Sequence, residues 1–146
     1  MNYEAFFRSE LDRVKAEGRY RVFADLERPA LERVVHSAEE AWFPAGSRII
    51  REGLRGSGLH VILEGEAAVM VDGTERARFG PGDFFGEISV LLGVLPVADI
   101  VAVRDTRALV LAGPEVEPFL VAQPRIMYRM LQAMARRLRA ANRWTG

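Results

Sequence analysis

Apolar positions along the chain change their spacing twice, and the changes divide it into three stretches. Over residues 1–37 apolar side chains recur at helical steps: Phe6, Phe7, Leu11 and Val14, then Val22, Phe23 and Leu26, then Leu31, Val34 and Val35. Gly18 interrupts the first segment and Pro29 stands where a new helix would start, so N-terminal helices are predicted here. Over residues 38–113 the runs become short, rich in β-formers and cut by Gly and Pro: AEEAWF, SRII, GLHVILEG, EAAVMVDG, TERARFG, DIVAVRD and TRALVLAG. Asp72-Gly73, set between AVMV and TERARF, is a strong two-residue hairpin signal. Many short strands punctuated this way predict a small barrel or jelly roll. Over residues 114–146 helical spacing returns, and Pro114 and Pro124 each fit a first helical position. The last helix carries Met127, Leu131, Met134, Leu138 and Ala141, a seam with steps of four and three that Ile126 and Met130 widen.

Composition adds exclusions to this outline. The 146 residues are enough for one domain with a real core, and 49% apolar with 27% charged residues is ordinary for a globular chain. Lys+Arg and Asp+Glu are both 20, so net charge points to no partner, and Lys15 is the only lysine. There is no cysteine, which excludes disulfides and thiol chemistry. The N-terminus MNYEAFFRSELDR has no basic and apolar leader pattern, and no run is long enough for a membrane span, so a cytoplasmic protein without membrane contact is expected. His36 and His60 are the two histidines, too few for a metal cluster. Ser89 has no base near it in sequence, and no catalytic arrangement can be assembled; an enzyme is not expected.

The stretch from Gly80 to Val103 carries the chemistry. Gly80, Gly82 and Gly86 let the backbone approach a ligand, and the apolar residues after Gly86 could open a helix, whose N-terminus suits an anion. Yet no base lies between Arg78 and Arg104, and the charges inside are Asp83, Glu87 and Asp99.

Punctuation across the strand region is specific: Phe43-Pro44-Ala45-Gly46, Ile49, Glu52-Gly53, Gly58, Val61-Ile62-Leu63-Glu64-Gly65, Val69, then Gly80-Pro81-Gly82-Asp83-Phe84-Phe85-Gly86-Glu87-Ile88. In this order and spacing the chain resembles the cyclic nucleotide-binding domain family over residues from about 20 to 140. The resemblance implies one domain over 1–146. It would be a mainly β fold, a jelly-roll or cupin-like β-roll over 38–113, with N-terminal helices and a C-terminal hinge helix followed by a longer helix. It implies a phosphate-binding cassette over 86–99, in which Gly86 meets the ligand and Glu87 accepts from a ribose hydroxyl. The residues at the ligand are then Gly86, Glu87, Ile88, Ser89, Val97, Ala98 and Asp99, with backbone N–H groups of 87–89 contributing and Val61 and Leu63 bordering the base.

One position departs from the family. The arginine that meets the cyclic phosphate falls on Val97, followed by Ala98 and Asp99. An Arg–phosphate hydrogen-bonded pair contributes about 1.5–3 kcal/mol. An inward Asp99 would add repulsion of about 1–4 kcal/mol. Together, roughly 2–7 kcal/mol weakens binding of cAMP or cGMP by about thirtyfold to beyond 10⁴-fold. Arg76, Arg78 or Arg104 could supply the missing charge.

Several residues keep two readings. Glu87 is a ligand group or a helix N-terminal acid. Gly82 and Gly86 serve the ligand or the turn itself. Asp99 meets an ion or is a solvated strand end. The apolar run Leu91, Leu92, Val94, Leu95, Val97 and Ile100 either collapses into the site and fills it, or lines it for a less polar ligand. The 124–143 seam packs on the roll or on a twofold mate, and a homodimer is expected through it. Arg125, Arg129, Arg136, Arg137, Arg139 and Arg143 make the tail basic, read as a solvated face; Trp144 would pack on a partner or on the roll. No helix-turn-helix and no nucleic-acid partner are expected. The function that follows is a non-enzymatic regulatory domain without a cofactor, or a ligand-free scaffold that binds a protein partner through the C-terminal helix.

Overall fold

The computed structural model describes residues 38–55 and 58–142; the N-terminal helices expected over 1–37, His36 and Trp144 lie outside the described residues. Strands β1 (Glu39–Phe43), β2 (Arg48–Ile50), β3 (Leu59–Glu64), β4 (Ala67–Val71), β5 (Thr74–Phe79) and β6 (Phe84–Phe85) come first. Helix α1 (Glu87–Leu92) follows, then β7 (Asp99–Ala102), β8 (Thr106–Leu111), α2 (Gly113–Ala122) and α3 (Pro124–Asn142). Two four-stranded antiparallel sheets, ordered β1-β8-β3-β6 and β2-β7-β4-β5, form the roll.

Seven of these strands sit where the β-rich runs predict them. The eighth, β6, has two residues, too few to show a period, and pairs His60 with Phe85 and Val61 with Phe84. Its two rings point to opposite faces. Phe84 joins Leu59, Val61 and Leu63 of β3 under Val116, Leu120, Ile126 and Met130 of α2 and α3. Phe85 joins Ile50, Ile62, Ala67 and Ile100 between the sheets. Strand β3 is therefore covered on both faces, which is why LHVIL carries no polar alternation.

The β4–β5 turn is the hairpin expected at Asp72-Gly73. Val71 pairs with Thr74, and both central residues have positive φ, 51° and 75°. That is the mark of a type I′ turn, which only residues such as Asp and Gly adopt cheaply. Helix α2 begins at Gly113, so Pro114 lies in its first turn as expected, and Pro124 opens α3.

His60 is buried behind the inter-sheet core, with its ring 4.8 Å from that of Phe85 and stacked on it. Its Nδ1–H donates to the Gly58 carbonyl at 2.9 Å, which fixes the neutral tautomer. Burial lowers its pKa from 6.5 to about 4, against a small opposing effect of the Gly58 carbonyl. Between these values the unfolded chain binds a proton that the folded one refuses, so stability falls as pH falls through the window. The expected loss from pH 7 to pH 4 is about 3 kcal/mol, or ~1.4 kcal/mol per unit. Urea titrations across this range check it. His60→Phe removes this slope, so any deficit it carries at pH 7 narrows as pH drops and only the wild type loses stability.

Candidate functional site

The site is built by two turns. Residues 80–83 close on themselves: Gly80 N–H donates to Asp83 Oδ2 at 2.9 Å, and Asp83 N–H donates to the Gly80 carbonyl at 3.0 Å. This buried turn delivers Phe84, Phe85 and then Gly86, whose φ of 89° reverses the chain into α1. A Cβ on Gly86 would stand 2.3 Å from the Gly58 carbonyl oxygen, the same oxygen that holds His60. The glycine is thus required by the turn and by its neighbour before any ligand is considered.

Beyond Gly86, α1 and residues 96–98 stand over the β2-β7-β4-β5 sheet and form with it a half-open cavity of about 230 Å³. The sheet side is apolar: Ile50, Val69, Val71, Phe79 and Ile100, joined by Phe85 from β6 of the other sheet. Gly86, Glu87, Ile88, Ser89, Val97 and Ala98 line the other side together with Pro96, so six of the seven residues expected at the ligand border one cavity. Asp99 does not. Ala98 and Ile100 face the cavity, and strand alternation turns the residue between them away. Its carboxylate accepts from Glu52 N–H at 2.8 Å and lies 3.7 Å from Arg48 Nε, tying β7 to the turn after β2. The repulsion expected from an inward Asp99 therefore does not arise.

Three further expectations change. Val61 and Leu63 belong to the core under the helices and do not border the cavity. Arg76, Arg78 and Arg104 are exposed and absent from its walls; Arg78 pairs with Glu75 and Glu66, and Arg104 with Glu66. The cassette has not collapsed into the site, because Leu91, Leu92, Val94 and Leu95 stay outward, 46–70% exposed. A larger hollow of about 490 Å³ lies across α1, toward Arg55 and the start of α2, and shares Ser89 and Pro96 with the first.

The residue that sequence reasoning missed is Arg137. Glu87 is buried, and its Oε1 accepts from Arg137 Nη1 at 3.1 Å, across 50 residues of chain. Arg137 Nη2 also donates to the Phe84 carbonyl at 2.6 Å. The guanidinium lies 4.2 Å and 4.6 Å from the ring centres of Phe84 and Phe79, so it is held on aromatic faces as well. A signal existed. Ile126, Met130 and Ala133 are the buried stripe of α3, and the next step of four reaches Arg137. A charge in step with a buried stripe has a partner; counted only among the tail's arginines, it reads as part of a solvated face.

The Glu87–Arg137 pair is mostly buried, so removing one partner leaves a charge without its counterion. Arg137→Ala is expected to cost about 2–3 kcal/mol in urea unfolding, with Arg137→Lys recovering less than half because it loses the fork and the stacking. In a double-mutant cycle with Glu87→Ala the two changes are expected to be non-additive by at least ~1 kcal/mol.

Comparison with known proteins places this geometry. Residues 40–122, more than half the chain, match the model of the cyclic nucleotide-binding domain. The CRP-like cAMP-activated global transcriptional regulator of Mycobacterium tuberculosis is 26% identical over 126 residues, 83% of this chain and 56% of that protein. Thermus thermophilus catabolite activator protein superposes with a TM-score of 0.72 at 28% identity, over 83% of this chain and 59% of that one. The N-terminal domain of a transcriptional regulator from Streptomyces coelicolor gives 0.64 at 26% identity, over 88% and 93%. The chain thus spans little more than half the length of the first two. Two of the three are transcriptional regulators by name, so the expectation that nucleic acid plays no part is not borne out. No described helix is long and apolar enough to cross a membrane. With its β-roll, its Gly86-Glu87 turn and the matched span agreeing, this chain belongs to the cyclic nucleotide-binding domain family.

Proposed function

We propose that this chain is a non-enzymatic sensor domain in which occupancy of the cassette cavity is read out by the pose of α3. One observation carries the reading: the carboxylate that the family offers to its ligand, Glu87, is held by an arginine of α3. A ligand that engages Glu87 changes what Arg137 has left to bind. It therefore has different affinity for two arrangements of α3, which is the condition for coupling. The relatives named as cAMP-activated or as regulators support a signalling role of this kind.

Coupling predicts that weakening the pair loosens the helix. In Glu87→Gln the amides of α3 are expected to exchange with deuterium about tenfold faster, while β3 and β8 keep wild-type protection. Unchanged α3 exchange would count against the sensor reading.

A second reading rests on the other face of α3. The 124–143 seam divides. Met134 packs against the domain's own core, whereas Met127, Leu131 and Leu138 are 42–63% exposed. Tyr128, 61% exposed, extends that outward strip. An apolar strip of this kind suits a second copy or a protein partner, and the two readings are compatible, because the sensing face and the associating face are different sides of one helix. Sedimentation analysis is expected to show a dimer that Leu131→Glu or Leu138→Glu converts to monomer, with Kd raised at least about a hundredfold. A wild-type monomer, or a dimer indifferent to both changes, rules out this interface.

A further inference from the structure

We propose that the cavity beside α1 takes a small, uncharged, largely apolar molecule rather than a cyclic nucleotide. The inference rests on the sensor reading above and names the ligand class for it. Charge is the first argument. Among the described residues no arginine or lysine lines the cavity, and Val97 occupies the position where the family resemblance implies the phosphate-binding arginine. Arg137, which reaches its wall through Glu87, is already engaged by that carboxylate and the Phe84 carbonyl and lies against two aromatic rings. A phosphodiester anion entering here would leave water without a free counter-charge and would meet the Glu87 carboxylate in the wall.

Surface chemistry is the second argument. Val69, Phe79 and Ile100 of the sheet and Phe85 of β6 line one side, and the partly exposed Ile88 and Val97 border the other. The rings of Phe79 and Phe85, 6.0 Å apart and within 6° of parallel, belong to this apolar wall; one face of Phe85 is taken by His60 and one face of Phe79 by Arg137. Glu87 and Ser89 are the polar side chains of the wall. Both can accept a single N–H or O–H, which suits a neutral molecule with one donor. Size is the third argument. The volume of about 230 Å³ exceeds the roughly 150 Å³ of an apolar cavity that holds benzene, and falls short of the ~300 Å³ where drug-sized sites begin. A bicyclic aromatic or a short branched aliphatic molecule fits between these limits.

The test uses amide chemical shifts of the whole chain, with indole as the neutral probe and cAMP and cGMP as the anionic ones. Indole at up to millimolar concentration is expected to shift Val69, Phe85, Gly86 and Ile100 saturably. Val69→Phe and Ala98→Leu, two independent ways of filling the cavity, are each expected to weaken it at least about tenfold while the other amide shifts stay native. The cyclic nucleotides are expected to leave the wild-type cavity unmoved and to shift it in Val97→Arg, which restores the cation. Saturable shifts by cAMP in the wild-type chain would overturn the ligand class and leave the sensor reading intact. Silence from both probes also overturns the ligand class; whether the sensor reading falls with it is decided separately by the α3 exchange of Glu87→Gln.

Discussion

One ion pair joins the two halves of this domain. Glu87 closes the cassette turn, Arg137 follows the buried stripe of α3, and the buried carboxylate rests against the half-buried guanidinium. Neither would be stable there alone, because a charge taken out of water needs both a counterion and hydrogen-bond partners. The Phe84 carbonyl and two phenylalanine faces supply the remainder of Arg137's environment. Strand β6, α1 and α3 consequently have their relative positions fixed at one point. The cavity's rim and the pose of α3 are set by the same contact.

The departure at Val97 and the apolar sheet face belong together. A family member that keeps a cyclic phosphate needs a cation where the chain re-enters the sheet. Here that point carries an exposed valine, followed by Ala98 and Ile100 facing inward. Retaining Glu87 does not imply retaining the ligand, since Arg137 gives the carboxylate a structural partner of its own. The Gly86 turn is likewise explained by the Gly58 carbonyl pressed against it. The features most suggestive of the family's chemistry are thus also those that hold this fold together.

Local rules made most of the roll legible. The Asp72-Gly73 hairpin, the strand runs and the prolines opening α2 and α3 depend on neighbours in sequence, and they appear where expected. Six cassette residues come to one cavity because the turn at Gly86 carries its own signal. What could not be read depends on distant contacts. Strand β6 exists through pairing with β3, and Asp99 turns outward through strand alternation and a bond to Glu52. The partner of Glu87 lies 50 residues on, visible only once α3's buried stripe is phased against solvent. The seam that looks continuous in sequence is two faces, one packed inward through Met130 and Met134 and one left outward through Leu131 and Leu138.

The span between Glu87 and Arg137 also bears on how the molecule comes into being. Synthesis proceeds from the N-terminus, at roughly 5–20 residues per second, and domains tend to fold as the chain emerges. The strands of the roll through β8 precede Arg137, so they can assemble on the ribosome while Glu87 still faces water. Its burial must wait for the last turns of α3. A nascent or prematurely ended chain therefore holds every residue that lines the cavity but leaves the Glu87 carboxylate without its counterion.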